Sequence, residues 1–312
     1  MRLNYDTFTG RRSAFVCMAF VLILLSWAAF IVCSQALTKF LSQYLAGNRL
    51  VAAQLLIQNG LVVASVLVAA LCTERKRPLK EKLGLDMAPE YSLRFLFPVF
   101  VLAVLVTFGS QAGLSYLLKA FGREPKEQSM VEFFRTLKPL AFVGFALITV
   151  VAAPIAEELA FRHIFYRFVR VFLFRKEAAV AVSLVFALFH LPFTSRAAGA
   201  PFPWEMLVVP VVPLFLLALF FQQQYEKSKS VIPSTLMHMG FNLISVFLLA
   251  LQVIYPPKET PAEPSVPADQ PALEAPAEPS VPADQPALEA PAEPSVPADQ
   301  PVQAVLVWDY NG

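Results

Sequence analysis

Four apolar stretches, each long enough to cross a lipid bilayer, set the terms for this 312-residue chain. They run from Ala14 to Leu37, from Leu50 to Cys72, roughly from Phe95 to Leu118, and from Pro139 to Ala160. A helix rising about 1.5 Å per residue needs about 20 residues to cross a hydrocarbon core of about 30 Å. The first stretch exceeds the roughly 7 to 15 residues of a signal-peptide core, so it reads as a transmembrane helix. Three further stretches follow: Ala178 to Pro192, Met206 to Phe221, and Val231 to Gln252, the middle one interrupted by Pro210 and Pro213. Short or broken spans usually surround a polar cavity. His163, Arg167 and Arg170 recur among Phe165, Phe168, Val169 and Phe172. That pattern reads as a basic helix at the membrane interface, or as one more short span. The expected fold is therefore all-α, a polytopic membrane protein of seven or eight transmembrane helices.

Charge is divided unevenly along the chain. Up to Tyr255 there are 24 of the 25 basic residues but only 13 of the 23 acidic ones, which leaves +11 on the body and −9 on the tail. Fourteen of the 26 prolines also lie beyond Tyr255. There Ala262 to Pro276 is copied in Ala277 to Pro291, and a partial third copy ends near Pro301. A 15-residue unit with only Val and Leu as large apolar groups buries too little surface to fold, so the tail reads as a disordered, acidic, Pro-rich spacer. Three regions result: 1–138 with the first spans, 139–255 with the polar clusters described below, and 256–312 as the tail. The basic residues punctuate apolar runs instead of forming a water-facing stripe, which excludes a nucleic-acid partner. Cys17, Cys33 and Cys72 stand alone in hydrophobic stretches and read as small buried apolar groups. Arg75, Lys76, Arg77, Lys80 and Lys82 place the loop from Thr73 to Leu93 and the N-terminus in the cytoplasm. The loop from Lys119 to Lys138 is also basic; its Met130, Val131, Phe133, Phe134 and Leu137 suggest a surface-lying or re-entrant segment.

Ionisable groups inside apolar runs cost several kcal/mol on insertion scales, so they mark sites by default. Here they form three clusters. The first is Glu157-Glu158 followed by Arg162, in which Glu158 and Arg162 share a helical face in the favourable order for an ion pair and Glu157 is turned about 100° away. The second is Phe186 with His190 one turn on. The third is His238 with Asn242, spaced to share a face, with Gly240 between them permitting close helix approach. A carboxylate and two imidazoles can hydrolyse a peptide in two ways. They can hold a zinc ion that acidifies water, or the carboxylate and one histidine can activate water directly. On the stretch boundaries above, Glu157 and His190 would sit some 15 Å apart in depth at about 1.5 Å per residue.

The ordered trio resembles the intramembrane proteases related to the Rce-type CAAX prenyl endopeptidase and to bacteriocin-processing enzymes. That family's pattern is Glu-Glu-x-x-x-Arg, then Phe-x-x-x-His, then His-x-x-x-Asn or Asp, and the resemblance covers roughly Pro139 to Leu251. It implies an endopeptidase in which Glu157 activates water with help from His190, His238 and Asn242 stabilise the oxyanion, and Glu158 and Arg162 support and orient. If the reaction is metal-dependent, Glu157, His190 and His238 are the ligands and zinc the metal. The expected partners are membrane lipid and a peptide or protein substrate, including membrane-anchored ones. The expected location is the bacterial cytoplasmic membrane. The alternative is a non-enzymatic immunity, binding or transporter-like scaffold protein that uses the same polar cavity.

Overall fold

Among the described residues, six helices of the computed structural model are long and apolar enough to cross a membrane. The structure describes residues 11–73, 78–123, 134, 136–191 and 205–255, all within one compact unit that reaches Tyr255. The tail, its repeat and most of the basic loop after Arg123 lie outside the described residues. Among the described residues there is no strand. The chain forms α1 (Arg11–Leu41), α2 (Asn48–Cys72), a single turn α3 (Leu79–Lys82), and α4 (Leu96–Ala120), which a 3₁₀ turn precedes. It continues with α5 (Pro139–Val169), α6 (Arg175–Phe189), α7 (Glu205–Ser228) and α8 (Val231–Ile254).

Among the described residues the expected seven or eight spans become six, for two reasons. The basic segment around His163 is neither an interfacial helix nor a separate span: it forms the last turns of α5, which runs unbroken for 31 residues. The stretch from Ala178 is α6, only 15 residues long and closed by the cap at His190. At about 1.5 Å per residue it covers roughly 22 Å, too little to cross the bilayer alone.

Those two lengths also remove the expected 15 Å mismatch. Measured from the α5–α6 turn, Glu157 lies twelve residues back from Val169 and His190 fifteen residues on from Arg175. Both therefore sit about 20 Å from the same end of the bundle.

The packing is built around α7. Its one face joins α1, α2, α5 and α6 in a core that includes Phe15, Val66, Phe161, Val182, Phe186, Ala218 and Tyr225. Its other face meets α4 and α8 through Ala103, Leu217, Phe221, Met237 and Phe241. Gly240 allows the close approach expected of it, since a Cβ there would lie 3.0 Å from the Phe100 ring of α4. Phe134 and Leu137 are buried against α5 and α8. The three cysteines are exposed on their helices. This overturns the expectation of burial: apolar side chains of a membrane helix can face lipid as readily as a protein core.

Candidate active site

Pro154 shapes the helix that carries the two carboxylates. Around Ile148–Ala152 α5 widens into a π-helical turn, and the Ala153 N–H donates to the Ile148 carbonyl five residues back. In that register residue 154 would serve the Thr149 carbonyl, but proline has no N–H. Asn242 takes its place, donating from Nδ2 to the Thr149 oxygen at 2.8 Å. The sequence marks Asn242 as an oxyanion donor; in the structure, its amide pins α8 to the π-turn of α5. Asn242→Ala should lower stability by about 1–3 kcal/mol, the usual cost of leaving such a carbonyl unmet. Equilibrium unfolding in detergent checks this, and an unchanged midpoint would refute it.

A second π-helical stretch, Leu159–Phe165, follows the carboxylates directly. Such turns are rare and recur at functional sites. Glu158 and Arg162 are both wholly buried, with Glu158 Oε2 3.4 Å from Arg162 Nε. The guanidinium lies 4.4 Å over the Phe186 ring and 5.7 Å over that of Phe221. None of its N–H groups, Nε included, makes a hydrogen bond among the described residues, so it is held by the charge of Glu158 and by the aromatic faces.

The other oxygen of Glu158 lies 3.1 Å from His238 Nδ1. A buried carboxylate held by Arg162 accepts this bond, so Nδ1 carries the proton and His238 Nε2 is turned toward Glu157. His238 also stacks on Phe221 at 4.9 Å between centroids.

Glu157 is where the clusters meet. Its Oε2 is 3.7 Å from His190 Nε2 and 3.7 Å from His238 Nε2. His190 donates from Nδ1 to the Phe186 carbonyl at 2.8 Å, which fixes its tautomer and leaves the Nε2 lone pair facing the carboxylate. The side chains of Glu157 and His190 are 27% and 33% exposed, whereas His238 is buried. One carboxylate is thus wholly buried, and its neighbour is a partly exposed side chain whose Oε2 is turned inward toward the two imidazoles.

All five ionisable residues that the sequence singled out converge, and Asn242 holds the helix one turn away from His238. Sequence reading missed Phe221 and the Thr149 carbonyl. Phe221 sits in an ordinary apolar run, and only the Pro154 register explains Thr149. His163, expected at the interface, is 3% exposed.

The donor set of Glu157, His190 and His238 is of the type that holds zinc. Yet among the described residues no group of three His, Cys, Asp or Glu is close enough for a metal ion. Tetrahedral ligands at about 2.0–2.1 Å stand about 3.4 Å apart, slightly closer than the 3.7 Å between Glu157 Oε2 and either imidazole nitrogen.

The fold and site define a multi-pass membrane protein with a carboxylate–histidine centre among its helices. Residues 139–244, which carry all of these side chains, match the family model described as Rce1-like, type II CAAX prenyl endopeptidase. This segment is thus similar to CAAX-type prenyl endopeptidases. No curated protein and no solved structure matches the chain.

Proposed function

We propose that this protein is an intramembrane endopeptidase in which Glu157 and His190 activate water to cleave a peptide bond near the membrane. The observation that carries the reading is the position of Glu157 Oε2, 3.7 Å from two imidazole nitrogens whose other nitrogens are already engaged. Two acceptors at that separation are spanned by one water about 2.8 Å from each. The water donates one hydrogen to Glu157 and one to His190 Nε2, and its lone pair is left to attack a carbonyl. Glu157 takes the proton as the tetrahedral intermediate forms and returns it to the leaving amine. His238, fixed by Glu158 through Nδ1, is the group placed beside the developing oxyanion, and in its doubly protonated form it donates to it from Nε2. Glu158 and Arg162 hold it there. Zinc held by Glu157, His190 and His238 would acidify water at the same place.

A membrane-anchored peptide is the substrate class that suits a site opening among spans, and the basic loop after α2 supports a cytoplasmic-membrane location with that loop inside. The test is incubation of the purified full-length protein with a library of membrane-anchored peptides. Cleavage within the anchored segment supports the reading, and its absence across the library overturns it. A strong chelator should leave cleavage within about twofold; inactivation reversed by zinc would replace the metal-free step with a zinc-dependent one.

A further inference from the structure

His163 belongs to none of the three clusters, yet it is buried and hydrogen-bonded beside Arg162. Its Nε2 lies 2.7 Å from the Lys82 carbonyl, in the loop between α2 and α4. A carbonyl only accepts, so Nε2 donates; Nδ1 then accepts from the Tyr225 hydroxyl at 3.4 Å. Arg167 Nη1 is 3.3 Å from the same Nε2.

The loop is anchored at several points. Lys82 is 7% exposed, and its Nζ donates to the Ala70 carbonyl at 2.6 Å and to that of Thr73 at 3.2 Å, capping the C-terminal end of α2. The Gly84 carbonyl accepts from Ser230 Oγ at 2.8 Å and from the Val231 N–H at 2.9 Å. Ala88 donates its N–H to the Ser228 carbonyl at 2.7 Å. Gly84 has φ +67°, and a Cβ there would lie 2.5 Å from His163 Nδ1. The glycine is required twice, by its backbone conformation and by the imidazole ring against it.

We propose that residues 78–92 form a positioning strap that holds the π-turn of α5 in register through His163, and so sets Glu158 and Arg162 beneath the reacting carboxylate. The strap bonds at once to α2, α5 and the α7–α8 turn, and so ties together helices that carry the carboxylates and His238. It lies outside the segment that matches the family model. Its kinetic consequence rests on the protease reading above. His163 acts through its neighbour and touches no reacting atom, which makes it a positioning residue.

The test compares the full-length protein with His163→Leu, His163→Gln, Gly84→Ala and the Leu/Ala double variant. Two quantities are read: cleavage of a membrane-anchored peptide, and hydrogen exchange of the amides in 159–165. Gln places a donor near the position of Nε2; Leu does not. His163→Leu and Gly84→Ala should each lower kcat by at least about tenfold at nearly constant KM, as small misplacements of catalytic groups do. Exchange in the π-turn should rise in both. Gln should restore kcat to within about threefold, and the double variant should be no worse than the worse single, since one contact is broken in each. Lys82→Met, which frees the strap from α2 without altering His163, provides a second route if Leu does not fold, and should move kcat and exchange in the same direction. Equal loss in Leu and Gln, multiplying effects in the double variant, or unchanged exchange would each overturn the strap. If the wild type itself cleaves no anchored peptide, the protease reading fails and the exchange measurements alone decide the strap.

Discussion

Glu157→Gln should lower peptide cleavage by about 10²- to 10⁴-fold, the usual contribution of a general base, in a protein that still inserts and folds. Glutamine keeps the size of the side chain and can still accept a hydrogen bond, but it does not take a proton from water near neutral pH. The carboxylate is partly exposed and its Oε2 makes no hydrogen bond to the buried His238 beside it, so the fold should tolerate the amide. His190→Ala should have a similar effect on rate, because its Nε2 is the second acceptor facing the water. Single-turnover cleavage with detergent-solubilised protein of verified monodispersity measures both. Full activity in a folded Glu157→Gln variant would favour the binding or scaffold alternative, in which the site recognises a peptide without hydrolysing it. Binding of that kind would survive the amide.

The second large effect is on folding. Arg162→Ala should destabilise the protein by about 3–5 kcal/mol, since it leaves the wholly buried Glu158 carboxylate without its cation. Loss of the guanidinium also empties the space above Phe186. Arg167→Ala should cost clearly less, because that side chain is only half-buried and its charge can be hydrated. Equilibrium unfolding of both variants in one detergent gives the comparison. Equal, small losses would show that the Glu158–Arg162 pair is solvated in the working protein. Replacing Glu158 and Arg162 together by apolar residues should restore part of the stability but not the activity, because His238 would lose its Nδ1 partner.

Local spacing carried much of the site. The four-residue intervals between Glu158 and Arg162 and between Phe186 and His190 are realised as contacts within a single helix: an ion pair, and a bond from the ring to the Phe186 carbonyl. Such contacts depend only on helical periodicity and so can be read from one segment at a time. Other features needed a partner from a distant segment. Asn242 answers a carbonyl that Pro154 leaves without a donor, 93 residues away. His163 is buried because the Lys82 carbonyl, 81 residues before it, descends to meet it. Neither partner was visible in the residue's own neighbourhood.

What the sequence alone determined is the membrane-spanning, all-helical character of the body and the identity of the residues that gather at the centre. Both follow from local quantities, the length of an apolar run and the expense of placing charge within it. The tertiary structure alone decided the depth at which those residues meet, which cysteines and phenylalanines face outward, and what satisfies each buried polar group. Hydropathy records that a segment avoids water but not whether lipid or protein replaces it, nor where a helix continues past its apolar stretch. The basic end of α5 is charged enough to resemble an interface and yet is buried in part by the strap across it. That extension, with the early end of α6 at His190, brings Glu157 level with both imidazoles.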